Sequence, residues 1–168
     1  MIKEIDKKME ELIEKVEAWS KERGLDAADT NKQRLKLWEE FGELNASIAR
    51  NNRDDAIDAI GDMLVVMTIY CQQIGYPKTK GLFEVDVVLL EYYDRMSIIE
   101  ILDQIAVGIL GTKTTIKGVQ EIITILANMA ERLDTTLEEC LQAAYDEIKD
   151  RRGKMVNGVF VKESDLNS

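Results

Sequence analysis

The 168-residue chain contains no histidine, only one proline and only two cysteines. Without histidine it lacks the commonest zinc ligand, the partner of a nucleophilic serine or cysteine and the usual general base, so catalysis would have to rely on carboxylates. The cysteines, Cys71 and Cys140, lie in separate apolar stretches and form no CxxC motif. This favours buried reduced thiols over a metal–thiolate site or a disulfide framework.

Long apolar segments are also missing, since the longest run is Met63 to Met67 and cannot span a bilayer. The first twelve residues are charged from Lys3 onward and have no apolar core, unlike a signal peptide or membrane anchor. We therefore expect a cytoplasmic protein with no membrane partner.

Acidic residues outnumber basic ones by 32 to 22, giving a net charge of −10. This balance disfavours a nucleic-acid polymer as partner, because such partners are bound by broad basic surfaces. An acidic protein can still bind a small polyanion such as a nucleotide if divalent metals neutralise the charge locally. Its carboxylates would then have to be clustered.

The scarcity of proline and the three- and four-residue spacing of apolar side chains predict an all-α helical bundle, as a single domain over residues 1–168. The segment Met63–Tyr70 is rich in β-branched residues but continues a helical pattern, so we interpret it as a buried helix. A capping box, Thr136 to Glu139, opens the last helix. Helices are predicted at about 2–23, 30–50, 54–74, 97–110, 115–132 and 136–152, with a partly helical connector at 79–93 and an extended, partly mobile tail from 153.

An offset of 59 residues superposes the apolar residues of 56–75 on those of 115–134. Asp62 then falls on Glu121, but Asp58 falls on Lys117. The pattern predicts a degenerate helical-hairpin repeat, with the active-site copy at about 1–76, a second copy without the acidic site at about 95–152, and a tail at 153–168. Chance helical periodicity is the alternative.

Carboxylates cluster on two of the predicted helices. Glu39, Glu40 and Glu43 share one face of the second helix, and Asp58 and Asp62 share one face of the third. A solvated acidic surface is the simplest explanation. However, Asp62 begins an apolar stripe without Lys or Arg, and a carboxylate buried there needs a cation. The two clusters can hold one or two Mg²⁺ ions and leave water positions open for a phosphate substrate.

The segments Glu39-Glu40-Phe41-Gly42-Glu43-Leu44 and Asp58-Ala59-Ile60-Gly61-Asp62 resemble the EExxE…ExxD signature of the all-α nucleoside triphosphate pyrophosphohydrolase superfamily. This superfamily includes MazG-like proteins and dimeric dUTPases, and residues 144–158 also resemble the end of phage or prophage MazG-like proteins. Ala59 stands where the signature has the glutamate of ExxD, and Asp58 shares the face of Asp62 instead.

The resemblance implies Mg²⁺, or Mn²⁺ in its place, held by Glu40, Glu43 and Asp62. Asp58 is expected to be the fourth ligand because it shares the face of Asp62. The resemblance implies hydrolysis of a nucleoside triphosphate to a monophosphate and pyrophosphate, with Glu39 orienting or deprotonating the attacking water. It also implies a homodimer or higher homo-oligomer.

Five further side chains are candidates for binding the substrate. Each also has an explanation without substrate. Gln33 and Lys36 can be solvated surface residues, and the cations Lys149, Arg152 and Lys154 are favoured near a helix C-terminus by the helix dipole. The candidates are Gln33, Lys36, Lys149, Arg152 and Lys154.

The sequence leaves two rival functions open. One is a catalytically silent helical module whose acidic face binds a basic partner, which the loss of glutamate at Ala59 favours. The other is a pyrophosphohydrolase restricted to dUTP, because sequence cannot identify the base.

Overall fold

A computed structural model describes residues 2–3, 7–76, 79–111, 116–157 and 159–166. The described chain is an all-α helical bundle, as the sequence predicts. Its helices are α1 (Lys7–Glu22), α2 (Thr30–Ala49), α3 (Arg53–Gln73), α4 (Thr79–Leu82), α5 (Val87–Tyr93), α6 (Ile98–Gly111), α7 (Lys117–Arg132) and α8 (Leu137–Ile148).

Helix α3 is the centre of the bundle. It packs most extensively against α2 and α8 and also contacts α1 and α7. Every residue from Met63 to Cys71 is buried, which confirms the predicted buried helix. A helix that is apolar all round is stable only when neighbours cover every side, so β-strand propensity is overridden here by packing.

Two helical hairpins are present. In the first, Asn51 has a φ of 53° in the turn between α2 and α3, and the Asn52 side chain caps α3 by accepting a hydrogen bond from Asp55 N. In the second, α6 packs on α7, and a Cβ at Gly108 would lie 2.6 Å from Ile122 Cγ1. Glycine therefore permits the close approach of α6 and α7. That the two hairpins arose from one duplicated unit stays a prediction.

Several boundaries differ from the prediction. The first helix begins at Lys7 and not at Ile2, because Ile2–Lys3 (β1) pairs antiparallel with Val85–Asp86 (β2). The connector contains α4 and α5 as well as β2, and α8 ends at Ile148 and not at Arg152. The predicted start of the fifth helix at residue 115 lies outside the described residues.

The tail is extended, as predicted, and forms a hairpin. Strands Gly153–Val156 (β3) and Val159–Lys162 (β4) pair antiparallel, and a 3₁₀ turn follows at Glu163–Leu166. The Phe160 ring lies 6.1 Å from the Trp19 ring in an edge-to-face contact. The tail is thereby packed on α1.

No helix within the described ranges is long and apolar enough to cross a membrane.

Candidate metal centre

The packing of α2 against α3 brings the two predicted acidic clusters together. Glu40 on α2 is 3% exposed, while Glu39 and Glu43 on the same helix are exposed. Asp58 and Asp62 on α3 are half-buried. Glu40 and Asp62 therefore do not belong to a fully solvated acidic surface.

The carboxylates of this cluster perturb one another. Burial, followed by the charges of Glu40 and Asp58, raises the pKa of Asp62 to about 7. Burial also raises the pKa of Asp58, followed by the charges of Glu147 and Glu43. The cluster thus concentrates negative charge that water solvates poorly, which is the condition that a bound cation relieves.

Lys36 partly neutralises the cluster. Its Nζ lies 2.6 Å from Glu40 Oε1 and 3.0 Å from Glu39 Oε1. Burial lowers the pKa of Lys36, but its contacts with Glu40 and Glu39 outweigh this and leave it above the ordinary value. Glu40 Oε2 is buried and has no hydrogen-bond partner among the described residues. A buried carboxylate oxygen with no partner is an open acceptor.

The donors fit a hard divalent cation. All are carboxylate oxygens, which suit Mg²⁺ and Mn²⁺, and the partnerless Glu40 Oε2 supplies one open ligand atom. However, no three acidic or thiol side chains of the described residues converge closely enough to hold one ion as they stand. Closing the site requires Lys36 to release Glu40 and the neighbouring carboxylates to rotate.

Helix α8 approaches this cluster because α3 carries Gly61 at the crossing. A Cβ at Gly61 would lie 2.3 Å from Cys140 O and 2.9 Å from Ala144 Cβ. Only glycine permits this separation without movement of the helices.

Two charged residues on or just after α8, Glu147 and Arg151, also lie near the acidic cluster. They were not predicted from the sequence. Arg151 Nη2 lies 3.9 Å from Glu147 Oε2, and its charge lowers the pKa of both Asp58 and Asp62. A usable signal existed, because Cys140, Ala144, Glu147 and Arg151 recur at the spacing of a single helix face.

The chain after α8 is fixed by α1. Trp19 Nε1 donates a hydrogen bond to Ile148 O at 2.8 Å, and Arg23 Nη2 donates to Arg151 O at 3.0 Å. The Arg23 guanidinium also lies 4.6 Å over the Trp19 ring. Ile148 O also accepts a hydrogen bond from Arg151 N at 2.9 Å, so the bonds from α1 add to this turn and hold the backbone of Arg151 in place.

The predicted substrate-binding residues are dispersed. Lys36 lies at the cluster, whereas the Gln33 amide donates to Val66 O of α3 at 3.1 Å. Lys149 is exposed and its Nζ lies 2.7 Å from Asp146 Oδ1. Arg152 and Lys154 are exposed at the start of the tail hairpin.

Part of the chain is similar to a phage protein. It is 44% identical over 66 residues to an uncharacterised 18.2 kDa protein in the rep–hol intergenic region of Haemophilus phage HP1 (strain HP1c1). The match covers 39% of this chain and 40% of the phage protein's length. No family model matches the chain. No solved structure matches it either.

Proposed function

We propose that this protein is a Mg²⁺-dependent nucleoside triphosphate pyrophosphohydrolase, with Mn²⁺ as a possible substitute. It would cleave between the α- and β-phosphates and release a nucleoside monophosphate and pyrophosphate. The observation that carries the proposal is the pairing of half-buried Asp62, whose pKa rises to about 7, with buried Glu40, whose Oε2 has no partner among the described residues. The resemblance of residues 39–44 and 58–62 to the superfamily signature supports this reaction class.

In this proposal Glu40, Glu43, Asp58 and Asp62 hold the metal. Bound Mg²⁺ would offset the charge of the phosphate oxygens and lower the pKa of an attacking water. Glu39 is exposed beside the buried Glu40, so it can orient that water or accept its proton.

The cations of the site also have roles. Lys36 can exchange its contact with Glu40 for a phosphate oxygen, which frees Glu40 for the metal. Arg151 lies on the α8 side, where its guanidinium can offset negative charge on the substrate. Both steps replace an ion pair within the protein by a contact with the substrate.

We further propose a cytoplasmic homodimer or higher homo-oligomer. On α6 the side chains of Ile99, Val107 and Leu110 are 58–62% exposed and share one face. Asp103 lies among them on this face, and exposed apolar side chains repeated along one side of a helix favour packing against another copy. Light scattering coupled to gel filtration measures the mass and contradicts this part if only 19.1 kDa is found.

The test is a panel of ribo- and deoxynucleoside triphosphates with Mg²⁺ or Mn²⁺, in which pyrophosphate and orthophosphate are measured separately. Release of pyrophosphate alone supports the proposal and reveals the base preference, including restriction to dUTP. Asp62→Asn should abolish turnover. Glu121→Gln is the matched control, because Glu121 is exposed on α7 at the position that the repeat aligns with Asp62.

A silent protein-interaction module is the second candidate. It is favoured by the finding that, in the described parts of the chain, no three carboxylates converge as they stand, while Lys36 pairs with Glu40. This candidate predicts no turnover with any triphosphate and no effect of Mg²⁺ on the melting temperature.

A further inference from the structure

An open pocket lies where the tail hairpin meets the end of α8. Its volume is about 340 Å³. The lining residues, which belong to the segment after α8 and to the end of β4 with the 3₁₀ turn, are Asp150, Arg151, Arg152, Lys162, Glu163 and Ser164. All six are polar, so the pocket is unsuited to a nucleobase or another apolar group.

The charge of this lining is opposite in sign to that of the whole chain. Three cations face two carboxylates, although the protein carries a net charge of −10. Two arginines next to each other can form paired N–H contacts with phosphate oxygens. The lining chemistry therefore matches an anion with several oxygens.

The hairpin register directs Lys162 to this pocket. Lys162 pairs with Gly153, and Lys154 pairs with Val161. Side chains alternate along a strand, so Lys154 lies on the opposite face of the hairpin from Lys162. A Cβ at Gly153 would lie 2.2 Å from Val161 O and 2.7 Å from the Phe160 ring, and glycine thus allows the hairpin to close.

The backbone around the pocket is held in place before any ligand binds. Arg23 donates to Arg151 O, Glu163 N donates to Arg152 O at 2.9 Å, and Phe160 packs on Trp19. A fixed backbone reduces the entropy that a ligand must remove when the arginine and lysine side chains become ordered.

Arg151 connects the pocket with the acidic cluster. It lines the pocket, and its Nη2 lies 3.9 Å from Glu147 Oε2 on α8, the helix that crosses α3 at Gly61 next to Asp62. A ligand with a charged chain of phosphates could therefore contact the acidic cluster, through metal, at one end and the pocket at the other.

We infer that Arg151, Arg152, Lys162 and Ser164 form a pyrophosphate-binding pocket that holds the two terminal phosphates of the substrate. Its assignment to the substrate's β- and γ-phosphates rests on the proposed function, whereas its capacity to bind inorganic pyrophosphate does not. Ser164, whose hydroxyl donates to Asp165 at 2.9 Å, can redirect this hydrogen bond to a phosphate oxygen.

The experiment is calorimetric titration of the full chain with inorganic pyrophosphate in EDTA at constant ionic strength. Wild-type protein should bind pyrophosphate more tightly than sulfate. Arg152→Ala and Lys162→Ala should each weaken binding about tenfold, as expected for a lost charged contact with phosphate. Lys162→Arg should restore most of it.

Lys154→Ala is the matched comparison, because it removes the same charge from the other face of the same hairpin. It should change pyrophosphate affinity less than twofold. Equal losses in Lys154→Ala and Lys162→Ala would indicate diffuse attraction to a basic tail and overturn the pocket. No binding by wild-type protein, or unchanged binding by Lys162→Ala, would overturn it as well.

Asp62→Asn separates this inference from the proposed function. Its pyrophosphate affinity without metal should stay within about threefold of wild type, even though turnover is lost. If wild-type protein binds pyrophosphate in the pocket but cleaves no triphosphate, the pocket stands and the proposed reaction fails. If triphosphates are cleaved but Lys162→Ala changes neither KM nor pyrophosphate affinity, the reaction stands and the pocket fails.

Discussion

Replacement of Asp62 by asparagine should stabilise the metal-free protein at alkaline pH. The folded protein holds the Asp62 carboxyl in a half-buried position beside Glu40 and Asp58, where its pKa rises from 3.8 to about 7. Above pH 7 this carboxylate is charged in the folded protein, which lowers the free energy of unfolding. An amide of nearly the same shape removes the charge and therefore this loss of stability.

The magnitude follows from the displacement of the pKa. At 1.36 kcal/mol for each pKa unit, a rise from 3.8 to about 7 corresponds to at most about 4 kcal/mol. Water reaching the half-buried carboxylate and local rearrangement reduce this, so we expect about 2 kcal/mol at pH 8, or about 4–8 °C in Tm.

The gain should depend on pH in a defined direction. Well below pH 3.8 the carboxyl is protonated in both states, so asparagine offers no advantage. Between 3.8 and about 7 the unfolded chain ionises while the folded chain keeps the proton, so wild-type stability falls relative to the variant as pH rises. At pH 4.5 the advantage should shrink to about a quarter of its value at pH 8.

The assay is thermal unfolding by circular dichroism at pH 4.5 and 8, in EDTA and in Mg²⁺. Mg²⁺ should reverse the order at pH 8, because it binds folded wild-type protein and contributes about 2.7 kcal/mol at a hundred times its Kd. Glu121→Gln controls for the loss of one negative charge. If Asp62→Asn is less stable than wild type at pH 8 in EDTA, the carboxylate is already satisfied within the protein and the reasoning is refuted.

Three other predictions concern the bundle that supports the site. Gly61→Ala should destabilise the protein by about 1–3 kcal/mol, because its Cβ meets Cys140 O, whereas Gly42→Ala, with nothing within 4 Å, should stabilise it by about 0.5–1 kcal/mol in denaturant titrations. Cys71 and Cys140 should resist a thiol reagent at pH 8 until the protein unfolds, because burial raises their pKa values to about 12 and about 11; rapid labelling of folded protein would contradict this. Thr136→Ala should cost about 1 kcal/mol by removing the capping box of α8, and an unchanged unfolding midpoint would show that the cap contributes nothing.

The sequence predicted the helices well where apolar periodicity was long. The buried course of α3 and the capping box at Thr136 followed from spacing and cap chemistry, both of which are local properties. The strand at Ile2–Lys3 could not be predicted in this way, because its partner, Val85–Asp86, lies more than 80 residues away.

In the candidate site, too, local patterns were predicted from the sequence and contacts that depend on packing were not. Carboxylates on α2 and α3 were recognised because they share a helix face within a short hairpin. Glu147 and Arg151 were missed because their approach to Asp58 depends on the crossing of α3 and α8 at Gly61, which is a property of packing. The ion pair of Lys36 with Glu40 was likewise set by side-chain rotation that no sequence pattern specifies.

The hydrogen bonds from Trp19 and Arg23 to the carbonyls of Ile148 and Arg151 have a consequence for synthesis of the chain. Their partners are separated by 129 and 128 positions, so a ribosome adding 5–20 residues per second takes roughly 6–26 s between them. Once Asp62 has been added, the nascent chain carries Asp58 and Asp62 without the compensating charge of Arg151 for the rest of this interval. The acidic cluster therefore cannot reach its final electrostatic state during elongation until the last part of the chain has left the ribosome.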